Sequence, residues 1–228
     1  MDNDSAHHAN IALHMYLTGD YTNLIDNGNP YLDKPHLHFW LSAFSYKVFG
    51  VTGFAYKFPS FMFTIAGTFS TYRLGKILYN NEAGKLAALL LASSFSYILA
   101  NNDVRMDAIL TACIAFSTWQ LVEFINNKKI WNVAAAALGL ALGFCTKGHI
   151  AVFIPVVGIL SYLSYKKEWK IIFNPKWILL IVLFFILISP VIYCYYRQFN
   201  IRGIRFILWE QSFERFRGSR FGSEGEKD

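Results

Sequence analysis

The residues best suited to chemistry are charged side chains that lie outside the long apolar stretches of the chain. Asp4 is a carboxylate, and a positioned carboxylate can act as a general base that takes a proton from a hydroxyl group. Lys34 and Arg215 are cations that can stabilise the negative charge of a phosphate group. These residues are far apart in the sequence, so the fold has to bring them together for a shared site to form.

Each of these residues also has a simpler interpretation. Asp4 could cap the helix that follows it. Lys34 could be an exposed lysine of a turn. Arg215 belongs to a run with Arg217 and Arg220, which could instead bind lipid headgroups at a membrane surface. The residue types alone leave these alternatives open.

Uncharged windows repeat along the chain and predict an integral membrane protein. Of the 228 residues, 54% are hydrophobic and 18% are aromatic. A helix needs roughly 20 mostly apolar residues to cross about 30 Å of hydrocarbon, and lysine or arginine near its ends can reach the interface. The windows predict six spans, at approximately 58–72, 86–102, 108–125, 130–146, 149–165 and 177–196.

Positive charges are concentrated in alternate loops between these spans. The loops 73–85, 126–129 and 166–176 carry most of them, whereas the other two loops carry only Arg105 and Lys147. By the positive-inside rule the first three loops are cytoplasmic. The lysine and arginine residues behind the net charge of +6 are thus spread over several loops. They do not form one basic stripe, which argues against a nucleic-acid partner.

This orientation predicts where the polar segments gather. Residues 1–57 form a first outer loop, residues 58–196 form the transmembrane bundle, and residues 197–228 form an outer polar segment. Asp107 reaches the same face, where it could also form a helix-start ion pair with Arg105. A loop of this kind should follow an earlier span, so the sequence is expected to be truncated at its N-terminus.

The first outer loop contains two helical patterns and a turn. A short interfacial helix is predicted from Ser5 to Thr18, ending near Gly19. The turn-rich stretch 26–30 follows, and a second helix is predicted from His36 to Phe49. The predicted fold class is therefore an all-α membrane protein, a polytopic helical bundle with short interfacial helices in its first outer loop.

Several patches resemble a known family of membrane glycosyltransferases, the one that contains the protein O-mannosyltransferases and the aminoarabinose transferase of lipid A. The patches are Asp4-Ser-Ala-His-His-Ala, Gly19-Asp20-Tyr21, Tyr31-Leu-Asp-Lys-Pro-His-Leu-His-Phe-Trp40, Asp103-Val-Arg-Met-Asp107, Thr146-Lys-Gly-His149 and Phe206-Ile-Leu-Trp-Glu-Gln-Ser-Phe-Glu-Arg215. The resemblance covers nearly the whole chain, although family members also continue beyond the last patch.

The resemblance implies a GT-C fold that uses a polyprenyl-phosphate sugar as donor and a lipid, glycan or protein as acceptor. It implies that Asp4 is the catalytic base and that Asp107 is a second acidic residue of the active cavity. Tyr31, Lys34 and Arg215 match positions that hold the donor phosphate. The sugar would be transferred with inversion at the outer face of a bacterial inner membrane.

The lipid tail of such a donor needs a hydrophobic groove, which Phe39, Trp40 and Phe44 could line. The ligands that some relatives use for a divalent metal are only partly present in this sequence. Those relatives bind the metal through an acidic residue before the Lys-Pro pair and through a later histidine. Asp33 matches the acidic residue, whereas Ser212 stands at the position of the histidine. The paired histidines lack the spacing of a metal site, so no cofactor is assigned.

Two other functions remain open. An inactive remnant or accessory membrane subunit is consistent with truncation. A small-solute transporter would place ionisable residues inside its spans, whereas here nearly all charges lie at span ends. Charge placement therefore favours the enzyme over the transporter.

Overall fold

The computed structural model describes residues 3–210 of the chain, with side chains from residue 5 onward. This part is mostly helical. The helices are α1 (Asn3–Thr18), α2 (Leu37–Phe49), α3 (Gly53–Leu78), α4 (Asn81–Ser93), α5 (Phe95–Asn102), α6 (Met106–Asn127), α7 (Ile130–Lys147), α8 (Ile150–Tyr165), α9 (Trp169–Ile172) and α10 (Lys176–Arg205). A π-helical turn, Phe206–Glu210, follows α10.

Helix α6 is the centre of the bundle, because it packs against α3, α7 and α8. Small residues allow these helices to approach closely. A Cβ atom added to Gly143 of α7 would lie 2.7 Å from the Cβ of Ala151 in α8 and 3.2 Å from that of Cys113 in α6. Cys113, Cys145 and Cys194 are free and buried, as expected of packing residues.

Five of the six predicted spans each overlap a single helix of the bundle, and the span at 86–102 covers both α4 and α5. By length and composition α6, α7 and the helical stretch 169–210 can each cross a membrane, and α4 and α5 can do so together as one bent span. Helix α8 is apolar but shorter, and α3 is 26 residues long but less apolar. The all-α membrane bundle is thus confirmed, while the six spans and their bounds stay predictions.

Two helices differ from the predicted spans. The span predicted at 86–102 is bent by 51° at the junction of α4 and α5, where Ser94 adopts an extended backbone. Helix α10 continues past residue 196 to Arg205, but Asn200 breaks it with a φ of 55°. The chain then folds back so tightly that a Cβ on Gly203 would lie 2.4 Å from the carbonyl oxygen of Tyr195.

The segment before α3 is a packed unit rather than a set of loose loops. Helix α1 ends at Gly19, whose φ of 72° is left-handed and whose amide donates to the carbonyl of Met15. Two short strands, β1 (Ile25–Asp26) and β2 (Asn29–Pro30), form a hairpin. Both predicted helices are confirmed as α1 and α2, and α1 packs directly on α2.

The core of this unit corrects one expectation about the aromatic residues. Phe39 is fully buried with Ile11 and Met106, so it joins α1, α2 and the start of α6 and does not line a lipid groove. The indole of Trp40 donates to the carbonyl of Tyr21 at 2.7 Å. Phe44 is the most exposed of the three aromatic residues, with 65% of its surface accessible, and its place in a lipid groove stays a prediction.

Candidate functional site

A charged pocket lies where α1 and the loop before α2 meet one end of the bundle. It is open to solvent on one side, and its cavity volume is about 90 Å³. The start of α6 and the end of α7 provide its other walls, which places it at a single end of the helices. Its lining residues are Ser5, His8, Lys34, Arg105, Met106, Asp107 and Lys147.

The pocket's cations are each paired with a carboxylate. The Nζ of Lys147 lies 2.6 Å from Oδ1 of Asp107, and the Nζ of Lys34 lies 2.8 Å from Oδ2 of Asp33. Because these groups are partly exposed, a charged ligand can reach them.

The third pair corrects the sequence-based suggestion that Arg105 pairs with Asp107. Arg105 instead lies 3.8 Å from Asp103, and Asp107 is paired with the lysine that ends α7. Helix α6 begins between them at Met106, so its first turn presents Asp107 to α7. The hydroxyl of Ser5 donates to the carbonyl of Asp103, which ties α1 to this loop.

A chain of buried polar side chains runs behind the pocket. The hydroxyl of Tyr56 donates to the carbonyl of Ser5 at 3.0 Å, and Nε2 of His38 lies 3.5 Å from that hydroxyl. Burial, reinforced by the charge of His8, lowers the pKa of His38 to about 3. Nε2 of His8 lies 3.4 Å from the hydroxyl of Tyr31. These contacts set the orientation of the first turns of α1.

Hydrogen bonds hold both ends of the loop 20–24, which connects α1 to the hairpin. Burial opposes ionisation of Asp20, but hydrogen bonds from Thr22 and Asn23 outweigh it and lower the pKa of Asp20 to about 2. Gln198 of α10 binds both the amide and the carbonyl of Leu24, at 3.0 and 2.8 Å.

Nε2 of His36 lies 3.0 Å from the carbonyl oxygen of Thr22. Burial lowers the pKa of His36 to about 4, so the ring is neutral at pH 7 and donates there. The loop is thereby held against α2 as well as against α10.

Of the site residues predicted from sequence, Lys34 and Asp107 both line the pocket, and Tyr31 adjoins it through His8. Asp4 lies in the first turn of α1, next to the pocket residue Ser5, but its side chain is outside the described part of the chain. Arg215 lies outside the described residues altogether.

Sequence reasoning missed Ser5, His8 and Met106 as pocket residues, and it placed Arg105 and Lys147 at the right face without giving them a role. The signal for His8 is weak, because a histidine on a short polar helix is usually exposed. In the folded chain only 6% of its surface is accessible.

A metal site is not formed by the residues that the structure describes. Within 3–210 no three His, Cys, Asp or Glu side chains are grouped closely enough to hold an ion. Asp33 is bound to Lys34, and Ser212 falls beyond the described residues.

These features define an integral membrane protein of the helical-bundle type with a charged pocket at one end. The family described as dolichyl-phosphate-mannose-protein mannosyltransferase matches residues 33–194. The match covers most of the sequence, and the chain belongs to this family.

Curated relatives and solved structures agree with this placement. The chain is 25% identical over 221 residues to the undecaprenyl phosphate-alpha-4-amino-4-deoxy-L-arabinose arabinosyl transferase of Pseudomonas paraeruginosa, covering 94% of this chain and 40% of the relative. It is 29% identical over 176 residues to such a transferase, numbered 2, of Sodalis glossinidius, covering 75% of this chain and 32% of that protein. The chain therefore spans less than half the length of these relatives.

The fold is similar to part of the fold of ArnT from Cupriavidus metallidurans. The structure of ArnT bound to undecaprenyl phosphate superimposes with a TM-score of 0.77 at 16% identity, over 92% of this chain and 40% of ArnT. The apo structure gives a TM-score of 0.76 at 16% identity, over 89% of this chain and 38% of ArnT. The predicted GT-C fold is thus confirmed.

Proposed function

We propose that the pocket is the active site of a glycosyltransferase that moves a sugar from a polyprenyl-phosphate donor to an acceptor hydroxyl. The single observation that carries the proposal is the convergence of Lys34 and Asp107 on one cavity, although they are 73 positions apart in the sequence. A cation for a phosphate and a carboxylate for a hydroxyl are the two groups this reaction needs. Family membership supports the same reaction class.

The reaction exchanges one bond at the anomeric carbon of the sugar. The acceptor oxygen attacks that carbon and its proton passes to a carboxylate, for which we propose Asp4. The bond between the carbon and the phosphate oxygen breaks, and its electron pair leaves with the lipid phosphate. In-line attack would invert the anomeric configuration.

Lys34, together with Tyr31 and Arg215, is proposed to hold the leaving phosphate. An ammonium aimed at an anionic leaving group stabilises the charge that develops in the transition state. The Nζ of Lys34 lies 2.8 Å from Oδ2 of Asp33. A phosphate oxygen would therefore replace or share that carboxylate contact.

Asp107 is proposed as the second acidic residue of the cavity. Its bond to Lys147 fixes one oxygen at 2.6 Å. About half of its side-chain surface is still accessible, 51%, so the carboxylate can meet an acceptor or the sugar. Asp107 would then orient the reacting hydroxyl toward the anomeric carbon.

The pocket is proposed to face the outside of the cell, on the periplasmic side of a bacterial inner membrane. The support is the distribution of lysine and arginine, which favours the loops at the opposite end of the bundle. The relatives are named for the transfer of 4-amino-4-deoxy-L-arabinose from undecaprenyl phosphate. For this chain we propose a hexose or related sugar on a polyprenyl phosphate, with a lipid, glycan or protein as acceptor.

The proposal is tested by separating donor binding from turnover. The protein is reconstituted in liposomes. Binding of undecaprenyl phosphate and release of labelled sugar from a polyprenyl-phosphate donor are both measured. Lys34→Ala should weaken binding by about tenfold or more, as expected for a charged hydrogen bond to phosphate.

Asp4→Asn should leave binding unchanged and reduce turnover by about 100-fold or more. Lys47→Ala is the matched control for Lys34, because Lys47 is an exposed lysine of α2 outside the pocket lining. If Lys34→Ala and Lys47→Ala bind undecaprenyl phosphate equally well, the pocket is not the donor site. If Asp4→Asn turns over at the unmodified rate, the base is misassigned.

A further inference from the structure

Two lysine-bearing segments meet at the end of the bundle opposite the pocket. They are the turn 126–129, between α6 and α7, and the segment 166–176, between α8 and α10. The Nζ of Lys176 donates to the carbonyl oxygen of Lys128 at 2.9 Å and lies 5.9 Å from the ring centroid of Phe124. The rings of Phe124 and Trp177 meet edge to face with centroids 5.1 Å apart. The two segments therefore form one surface, which we call the lysine platform.

The lysine platform carries an excess of positive charge. Glu168 is its one acidic residue, whereas its lysines are Lys128, Lys129, Lys166, Lys167, Lys170 and Lys176. All of these lysines except Lys176 are exposed. Among residues 3–210, none of the six forms an ion pair with a carboxylate. The platform therefore presents several positive charges that the described part of the chain does not neutralise.

The third loop at this end of the bundle, 73–85, differs from the platform because most of its charges are paired. Arg73 is bound to Glu123 at 3.3 Å, and Lys85 is bound to Glu82 at 2.8 Å. Of the three cations in this loop, only Lys76 is outside an ion pair with a described carboxylate. The unpaired positive charge at this end is thus concentrated on one side of it.

Aromatic side chains surround the platform lysines and are themselves exposed. Trp131, Tyr165, Trp169 and Phe173 each have more than half of their surface accessible. Tryptophan and tyrosine are enriched at the boundary between hydrocarbon and water, where their rings lie at the level of the headgroups. A lysine can cover apolar surface with its stem and keep its ammonium group among the headgroups. This mixture of rings and cations suits the membrane surface better than open water.

The helices that carry the platform place it at the same level. Helix α6 ends at Asn127, and the helical stretch 169–210 begins within the platform. Both are long and apolar enough to cross a membrane. The platform therefore lies where their apolar residues end, beside the headgroup phosphates of the surrounding lipid.

We propose that the lysine platform binds the phosphates of anionic phospholipid headgroups, so that this side of the protein gathers anionic lipid in preference to zwitterionic lipid. Lysine near a membrane surface is attracted to anionic headgroups, and the attraction increases with the number of lysines in a cluster. The inference does not depend on the proposed function, because the platform and the pocket lie at opposite ends of the helices.

The test measures how strongly the full chain in lipid nanodiscs prefers phosphatidylglycerol over phosphatidylcholine. Each lipid in turn carries bromine on its acyl chains, which quenches the fluorescence of the tryptophans that it contacts, and Trp131 and Trp169 report from the platform. The ratio of the two association constants gives the preference. For the unmodified protein it should be about threefold or more. Salt at about 1 M, where the Debye length is about 3 Å, should remove most of it.

The variant Lys166→Gln, Lys167→Gln, Lys170→Gln removes three exposed charges of the platform and keeps its aromatic rings. It should lower the preference by about twofold or more. The matched control is Lys47→Gln, Lys57→Gln, Lys85→Gln, which removes the same charge at three exposed lysines outside the platform and should keep the preference. Equal losses in the two triple variants would show that the preference follows net charge, and would overturn the inference.

Two measurements on the unmodified protein test the inference even if the platform variant does not fold. A preference that is absent, or that persists unchanged in about 1 M salt, overturns it. Inorganic phosphate added at constant ionic strength should leave the preference unchanged. If it abolishes the preference, the platform binds free phosphate and the assignment to lipid headgroups is wrong.

Discussion

Ion pairs occur at both ends of helix α6, and their surroundings differ. At its start Asp107 is bound to Lys147, and the pair borders an open pocket. Near its end Glu123 is bound to Arg73 of α3 at 3.3 Å. Sixteen residues separate the two carboxylates, which corresponds to about 24 Å along the helix.

The Glu123 pair is closed by further protein groups. The indole of Trp119 donates to Oε1 of Glu123 at 3.3 Å, and the amide of Asn127 donates to Oε2 at 2.6 Å. The guanidinium of Arg73 lies 5.0 Å from the Trp119 ring centroid and 6.0 Å from that of Phe69. Only 16% of the Glu123 side chain is exposed, against 51% for Asp107.

The difference shows how one type of interaction can serve two purposes. A carboxylate whose oxygens are both bound by the protein stabilises the contact between helices. A carboxylate with one oxygen bound and the other open to a cavity is oriented and still able to bind a ligand. The comparison therefore predicts loss of activity at one end of α6 and loss of stability at the other.

The largest expected effect separates the two carboxylates by turnover. Asp107→Asn should lower sugar transfer by about 100-fold or more, because it removes an acidic group from the proposed active cavity. Glu123→Gln, the same change of charge at the far end, should alter transfer by less than about threefold. Both rates are measured with labelled polyprenyl-phosphate sugar in liposomes. Equal losses in the two variants would contradict the division of roles.

As the pH falls, the pocket end of the bundle should lose stability before the far end does. The pKa values of His36 and His38 lie at about 4 and about 3, below the ordinary value near 6.5, so the unfolded chain binds protons that the folded chain does not. Their contribution to stability is present above pH 6.5 and is lost as the pH falls. The loss should reach about 2 to 4 kcal/mol between pH 7 and pH 5.

Hydrogen exchange followed by mass spectrometry measures this response for each segment. At pH 5 the amides of α2 should lose protection relative to those around Glu123 in α6. His38→Gln keeps a donor for Tyr56 but does not titrate, so it should reduce the pH dependence by about half. Equal loss of protection in both segments would show that the histidines do not cause it.

Local signals in the sequence were sufficient for most of the helices. Gly19 marks the end of α1 because its left-handed backbone favours glycine. Uncharged windows identify the membrane helices because hydrocarbon excludes unpaired charge. These are properties of short stretches of chain, and they do not depend on which other segment lies nearby.

The choice of partners could not be predicted in the same way. Asp107 lies two residues from Arg105 but binds Lys147, forty residues away, because the start of α6 faces the end of α7. The uncharged run 86–102 predicts one helix, but the chain breaks at Ser94 into α4 and α5. His8 lines the pocket because α1 packs on α2, and this is a contact between two separate segments of the chain.

The far end of the bundle also depends on close contact between α3 and α4. A Cβ atom on Gly84 would lie 2.6 Å from the backbone oxygen of Tyr72, which cannot move without shifting the helix. Gly84→Ala should therefore destabilise the protein by about 1 to 3 kcal/mol, the usual cost of overpacking. Gly158→Ala is the control, because no atom lies within 4 Å of its added Cβ.

Thermal unfolding in detergent measures both glycine variants. Gly84→Ala should lower the Tm by several degrees, whereas Gly158→Ala should leave it unchanged or raise it, since alanine favours a helix. Sugar transfer by Gly84→Ala below its Tm should stay close to the unmodified rate. A loss of transfer without a loss of Tm would mean that this helix contact serves the pocket and not the far end.

The smallest effect is the stability contribution of the Glu123 pair itself. Glu123→Gln keeps an oxygen for the indole of Trp119 and removes the charge that faces Arg73. The free energy of unfolding should therefore fall by about 1 kcal/mol, which lowers the Tm by about 2 to 4 °C. Glu82→Gln is the matched control, because Glu82 and Lys85 form a fully exposed pair on α4 that should not affect Tm measurably. Adding Arg73→Met to Glu123→Gln should recover part of the loss, since the unpaired cation is removed. If the two glutamate variants had the same Tm, the contacts of Trp119 and Asn127 would carry the stability of this end without the ion pair.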